Sequence, residues 1–591
     1  MKKIKYLHVL VFVCAIPLMM SWQSVEQEWH QKVDDRLLEA NKNTERDFLV
    51  MMADQANVSM AGALRSKEDK GRMVYETLKA KALSTQQPIV DILVSNGIKY
   101  KSFYIVNAIR AKGDLDLIQA IAMLPAVEKI TENSRYKLTQ PFSSTVEKGD
   151  PVVNLEWGVE KVRAPQVWEM GYEGEGVVVG GQDTGYEWFH PAIMEKYRGW
   201  DGMTADHNYN WHDAIHELNP LHMDTIPDAN PCGLSVSVPC DDHNHGTHTM
   251  GTMVGRVDSN YIGIAPSARW IGCRNMDRGY GQPSTYIECF EWFLAPTDLN
   301  NANPDPSKAP HVIANSWSCP EMEGCNPSNF SLMQTAVENL DAAGVFVVVS
   351  AGNSGGQGCS TVRTPAAIFE KSFTVGASNS VDTLAWFSSK GDVTVDGSNR
   401  MKPDLVAPGV SVRSCIRNGN YATWNGTSMA GPHVAGVVAL MISADPTLAG
   451  DTDRIRDILH GTTELAFDQD TCGGTPPTIY PNNLVGYGRV DALNAVNEAL
   501  GVSTSLLSLS ELLVKVYPNP FFAQIQIELT DLTGPTQLEV FDALGKVVYR
   551  ETWDLTGNDL KVVRPTISGN GVYFYRIKHK DGFKEGKLVK L

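Results

Sequence analysis

Hydrophobic positions along this chain fall into three regimes. Between about residues 155 and 500, apolar runs such as GVVVGGQDTG, GVFVVVSAGN and FTVGAS alternate with stretches of helical period. Such runs predict strands buried on both faces, and their alternation with helices predicts α/β architecture with a doubly wound, mainly parallel sheet. After Leu500 the period becomes two: in AQIQIELTD, Ile525, Ile527 and Leu529 alternate with polar neighbours. LEVFDALGKVVYRE and GVYFYRIKHKDGFKEGKLVKL continue as hairpins, the last turning at Asp581-Gly582, so the tail predicts an all-β sandwich. Upstream, residues 25–95 are polar with scattered apolar positions and read as helical. A strand over 103–108, a helix over 114–123 and a strand over 127–131 follow, making the N-terminal part α+β. TQPFSSTVEKGDPVVN, residues 139–154, has linker composition.

The remaining bulk properties sharpen this division. Lys2, Lys3 and Lys5 precede an apolar stretch from Tyr6 to Met20, the pattern of a cleaved signal peptide over residues 1–24. No later segment is long and apolar enough to span a bilayer. The organisation expected is 25–150, 151–500, a Ser/Leu-rich linker 501–512 and a tail 513–591, since 591 residues exceed one core. A net charge of -17 argues against nucleic acid as a partner. Ten cysteines fit an oxidising destination. Cys232/Cys240 and Cys319/Cys325 bracket short loops that disulfides would close; Cys273, Cys289, Cys359, Cys415 and Cys472 cannot be paired from sequence.

The candidate chemistry starts at WNGTSMAGPHVAGVVALM, where Ser428 stands at the mouth of a helix. A serine hydroxyl is a weak nucleophile without a base to take its proton and a group to orient that base. Gly426 allows close approach, and the helix start directs backbone N–H groups at developing negative charge. Pro432 is expected early in the helix, where its missing N–H costs little. GTS before a helix is also an ordinary cap, so the rest of the chain decides. DDHNHGTHTMGTMVG places His245 at the head of another small-residue helix, and VVVGGQDTG ends a buried strand on Asp183.

Three such segments in the order Asp, His, Ser match the order found in subtilisin. QDTG, HGTHTMG and NGTSMAGPHVAG resemble the signatures of the subtilisin-like serine proteases, the subtilases, over about residues 155–500. The resemblance implies a serine endopeptidase acting on protein or peptide substrates: Asp183 orients, His245 is general base and acid, Ser428 is the nucleophile. It further makes Asn353, at the end of VFVVVSAGN, the oxyanion donor, and lays substrate as a strand between Ser316-Trp317-Ser318 and Gly279-Tyr280-Gly281. Trp317 departs from the usual small or aliphatic residue there and is expected to narrow or cap a subsite.

The unit at about 100–135 resembles the subtilase inhibitory pro-domain, whose last segment would lie in the cleft, with cleavage somewhere in 136–153. VYPNPF, VFDALGKVV and GVYFYRI…GFKEGKLVKL resemble the C-terminal sorting domain of type IX secretion cargo, which implies export through periplasm and outer membrane. The chain is therefore expected as a secreted or surface-attached monomer, made as a precursor. Its partners would be its substrates, its own pro-domain and the secretion machinery. No cofactor enters the expected chemistry. His207, His212, His216 and His222 do not make a metallohydrolase helix, where two histidines stand four apart with glutamate beside the first: His216-Glu217 is followed by His222, six residues on and past Pro220. The Asp- and Asn-rich stretch 201–240 is compatible with structural calcium, though no ligand loop of recognisable spacing shows. The competing reading is an inactive binding or adhesion protein on the same scaffold; the filled catalytic positions argue against it.

Overall fold

The computed structural model describes residues 29–39, 41–137, 142–147, 155–222, 230–319, 325–327, 329–502, 514–542, 546–567, 569–579 and 582–591. The signal-peptide expectation lies outside them. Two compact units are separated at Leu500.

The first unit is organised around seven strands, all paired in parallel. Their spatial order is Leu405–Pro408, Phe373–Ser378, Phe346–Ser350, Val312–Asn315, Val178–Asp183, Arg269–Arg274, Trp211–Asp213. Phe346–Ser350 and Phe373–Ser378 are buried at every position, as continuous apolar strands covered on both faces must be. The chain enters the sheet at Val178–Asp183 and crosses to the other side at Val312–Asn315. The crevice beyond the carboxyl ends of these two neighbours is therefore the switch point where doubly wound sheets hold ligands.

The helix Thr427–Ala444 crosses the sheet and is buried from Thr427 through Ile442. Its small residues permit that depth: a Cβ on Gly436 would meet Ile264 at 2.5 Å. Pro432 lies inside the helix rather than in the first positions expected for it. A proline there removes the N–H that would bond the carbonyl four residues back, that of Ser428. The Ser316 hydroxyl donates to that carbonyl instead, at 3.1 Å. The proline thus frees an acceptor that ties the serine's backbone to a neighbouring strand end.

On this body sits an antiparallel four-stranded sheet, ordered Tyr100–Phe103, Ala108–Gly113, Arg46–Met52, Val127–Glu132. It corrects two expectations. Arg46–Met52 is a central strand where helix was read, and the run 103–108 is mostly the turn of a hairpin. Phe103, Tyr104, Ile105 and Val106 are apolar because they join the core around Tyr286, Phe290 and Met333. The stretch 139–154 is not wholly a linker either, since Phe142–Glu147 forms a strand paired with Asn420–Asn425. Four disulfides close the unit, Cys232–Cys240, Cys273–Cys289, Cys319–Cys325 and Cys359–Cys472, and Cys415 is a buried free thiol.

The second unit is all antiparallel. Two 17-residue strands, Ile525–Phe541 and Val547–Val563, pair along their length. The first half of Ile525–Phe541 also pairs with Val514–Tyr517, and its second half with Gly571–His579. Ile525, Ile527 and Leu529 are fully buried, on the face the alternation assigned to the core. Gly571–His579 pairs with Gly582–Lys590, and Asp581 of the expected turn lies outside the described residues.

Buried histidines give the first unit an acid limit. Burial pushes His190 and His433 down to about 4, and His248 and His311 down to about 3. Each stays neutral in the fold but charges when unfolded below about pH 6.5, so stability is full above that value and is lost as pH falls toward 4. The expected loss is about 1.4 kcal/mol per histidine per pH unit in that window. Asp242 and Glu291, raised by burial to about 7, act oppositely. Asp404 adds to the loss only below about pH 4: burial raises it, but Lys402 beside it outweighs that and holds its carboxyl far below the ordinary range. Denaturant midpoints for the full chain with Ser428→Ala should fall clearly between pH 7 and 4; a flat profile would contradict this balance.

Candidate active site

Asp183 is the last residue of its strand, at the switch point. Both its oxygens accept from His245 Nδ1, at 2.7 and 2.9 Å, and the Thr184 N–H donates to Oδ1 at 2.7 Å. The carboxylate is 1 % exposed and the imidazole 0 %, so the contact is sheltered from water. A carboxylate only accepts, which assigns the proton to Nδ1 and the lone pair to Nε2. That Nε2 is buried without a hydrogen-bond partner. Asp241 fixes the entry to the His245–Val254 helix: its carboxylate accepts from Thr247 Oγ1 at 2.6 Å and Thr184 Oγ1 at 2.9 Å. Trp424 stacks on His248 at 4.5 Å and lies 6.3 Å from His245. His243 is lowered, first by burial and then by the nearby His245.

Ser428 is the second residue of its helix, and its hydroxyl donates to the Ser316 carbonyl at 3.0 Å. In this state it is turned to Ser316 rather than to the imidazole. Asn353 follows the strand Phe346–Ser350; its Oδ1 accepts from the Thr427 N–H at 2.9 Å and from Thr427 Oγ1 at 3.0 Å. With the carbonyl end so occupied, the NH2 end of the amide remains for the cavity that Asn353 lines together with Ser428, Ser316, Gly352 and Thr361. Thr427 was not singled out from sequence, though its place between Gly426 and Ser428 was visible.

Trp317 lines the cavity beside Ser428, and its ring is buried and stacked on Tyr286 at 3.8 Å. Ser318 lies at the wall's end, next to the Cys319–Cys325 loop. Across the cleft, Arg278 and Gly279 both have positive φ, and Asp277 and Tyr280 exchange two backbone hydrogen bonds. This tight hairpin turn presents Tyr280–Gly281 as a free edge. The edge is taken by the chain's own Tyr136–Lys137, antiparallel. Five residues further on, the chain pairs again, Phe142 with Asn425 and Ser143 with Trp424. Tyr136–Lys137 therefore lies on Tyr280–Gly281, and Phe142–Glu147 on Asn420–Asn425, the strand that leads into the Ser428 helix.

The N-terminal sheet is anchored by buried polar contacts. Glu291 accepts from the backbone N–H groups of Tyr104 and Ile105 at 2.5 and 3.0 Å. Asn133 and Ser284 exchange two hydrogen bonds of 3.0 Å at the start of the helix Pro283–Leu294. In the histidine-rich insertion, Asp201 accepts from the N–H groups of Met203 and Thr204, and Asp206 from that of Asn208, so these acids cap turns. One group has the closeness of a metal site among the described residues: His212, His216 and Glu288.

A parallel doubly wound sheet that brings a buried carboxylate–imidazole pair and a helix-mouth serine to its switch point has the build of an α/β serine peptidase. Residues 174–488 match the profile described as the Subtilase family, and residues 515–591 match a secretion system C-terminal sorting domain. Bacillopeptidase F of Bacillus subtilis is 33% identical over 81% of this chain, which spans only 33% of that protein's length. Subtilisin J of Geobacillus stearothermophilus is 28% identical over 69% of this chain and 88% of its own. In structure, the epidermin leader peptide processing serine protease of Staphylococcus aureus aligns over 77% of this chain and 100% of its own, with a TM-score of 0.55 at 15% identity. The chain belongs to the subtilase family of serine endopeptidases, and its sorting domain marks it for export to the medium or the cell surface.

Proposed function

We propose that this protein is a secreted endopeptidase acting through Asp183, His245 and Ser428, with Asn353 as oxyanion donor, and that it is made as an inhibited precursor. The observation that carries the chemistry is the two-pronged Asp183–His245 contact, which leaves Nε2 as the basic nitrogen. Rotation of the Ser428 hydroxyl from the Ser316 carbonyl toward Nε2 makes the attack possible; such bonds commonly tighten only when substrate is bound. The proton passes to Nε2 as Oγ bonds to the carbonyl carbon, and Asp183 stays ionised while stabilising the imidazolium. The oxyanion takes the Ser428 N–H and the Asn353 amide. Collapse expels the amine with the proton from Nε2, and water, activated by the same nitrogen, releases the acyl group. The chemistry needs no cofactor. Among the described residues the cavity beside Ser428 has no charged lining, which favours a neutral side chain before the cut bond.

The precursor reading is supported by the strand pairings with Tyr280–Gly281 and with Asn420–Asn425, the strand leading into the Ser428 helix. A segment held as an added strand on two edges is bound as substrates are. In this reading the bond cut first lies between Lys137 and Phe142, and the N-terminal sheet is the pro-domain that the cut sets free.

A fluorophosphonate probe tests the nucleophile directly. It should attach to Ser428 of the self-processed enzyme, and absence of labelling in processed, folded protein would overturn the reading. Asn353→Ala should lower kcat by roughly 10²–10³-fold with little change in KM, the loss known for the corresponding donor in subtilisin and taken over from it. A loss below about threefold would remove Asn353 from the oxyanion site.

A further inference from the structure

The cluster His212, His216 and Glu288 lies outside the peptidase machinery. His212 and His216 belong to the insertion, at and just beyond the sheet's edge strand, while Glu288 comes from the helix Pro283–Leu294. Both imidazoles direct Nε2 at one oxygen of Glu288, at 2.8 and 2.7 Å. The ring of His212 stacks on Trp292 at 5.7 Å, and His216 Nδ1 is bound to Ser235 Oγ at 2.7 Å. Each ring is thus fixed from outside the cluster, the support that metal-ligating histidines need. The same Glu288 oxygen carries a third partner, the ammonium of Lys101, which reaches in from the N-terminal sheet.

We infer that His212, His216 and Glu288 form a divalent transition-metal site of the mature peptidase, plugged in the precursor by the Lys101 ammonium. Two neutral imidazoles and a carboxylate suit zinc, with a fourth position for water. Ligand atoms around tetrahedral zinc stand about 3.3 Å apart, from bonds near 2.0–2.1 Å. The three donor atoms already lie within 4.8 Å of one another, and the two nitrogens, at 2.8 and 2.7 Å from the Glu288 oxygen, would each move about 0.5 Å away from it to make room for the metal. Charge supports the exchange. Departure of Lys101 leaves a carboxylate, 6 % exposed, facing two imidazoles without a cation, and loss of one partner of a buried pair is costly. A divalent ion restores the balance. Arg110 and Lys112, in the same N-terminal sheet, and Lys99, just before its strand Tyr100–Phe103, line the entrance beside His216 and Glu217 and leave with the sheet. The precursor therefore guards the site with positive charge, and the released enzyme exposes it. Metal held there would oppose return of the inhibitory sheet, because Lys101 and the ion require the same place.

The step after cleavage rests on the pro-domain reading, but the site can be tested without it. In the uncut full-length chain with Ser428→Ala, Lys101→Ala and Lys101→Met should each create one zinc-binding position by calorimetry, at least tenfold tighter than in the chain that keeps Lys101. Co2+ should give the visible absorption of a low-coordinate nitrogen/oxygen site. His212→Ala or His216→Ala added to Lys101→Ala should abolish both signals. Circular dichroism establishes that each variant is folded, and Lys101→Met keeps the packing of the side-chain stem. No stoichiometric zinc in the folded Lys101 variants, or binding indifferent to both histidines, would overturn the site; equal affinity with Lys101 present would overturn the plug. None of these readouts depends on whether the chain cleaves itself.

Discussion

Ser428→Ala is expected to abolish proteolysis and to leave the chain at full length. The variant keeps the Asp183–His245 pair and the Asn353–Thr427 contacts but has no oxygen to receive the acyl group. Turnover should fall by about 10⁶-fold, the loss recorded when the nucleophile of subtilisin is removed and a borrowed figure here. Residual catalysis would come from the oxyanion donors and binding alone. The same change should stop the proposed cut between Lys137 and Phe142, since Tyr136–Lys137 and Phe142–Glu147 are already held as added strands on Tyr280–Gly281 and Asn420–Asn425. Purified protein incubated alone and followed by mass spectrometry gives the result. A Ser428→Ala chain that cleaves itself at the same place would refute the assignment.

Removal of residues 514–591 should have an equally large effect of another kind. These residues build their own buried core, around Ile527, Leu538, Val540 and Ile577, and form a unit apart from the first. Their loss should leave activity per mole of enzyme unchanged while nearly all of it stays in the periplasm. Fractionated cells of the native host, assayed with a peptide substrate, would show this. Undiminished activity in the medium would mean that the tail is not the export address.

The sequence exposed most where a local pattern has a local cause. QDTG reads as a strand end because Asp183 is one, and GTSMAGPHVAG carries small residues because its helix is buried from Thr427 to Ile442. Expectations failed where neighbours distant in sequence dictate composition. FYIVNA looked like a strand because it is apolar, yet Tyr104, Ile105 and Val106 are apolar to fill a contact with the peptidase helices. Phe142–Glu147 looked like a linker because it is rich in small and polar residues, yet its backbone supplies the pairing. What the sequence did not show at Trp317 is the ring's partner, Tyr286, thirty-one residues earlier. His212 and His216 stand four apart as metal ligands often do, but their carboxylate is Glu288, and the pattern that places an acid beside the first histidine is blind to it.

The link between Cys359 and Cys472 spans 113 residues, and Ser428 lies inside that span. Tying so long a loop removes on the order of 4–5 kcal/mol of chain freedom from the unfolded state on the entropy account. Its second effect is topological. An enzyme that attacks polypeptides shares its surroundings with other copies of itself, and the exposed turns around Val381 and Trp386 are open to nicking. A single break anywhere in the span leaves both pieces fastened, so the segment bearing Ser428 cannot drift away, and damage that would dismantle an unlinked protease leaves this one a nicked but joined molecule.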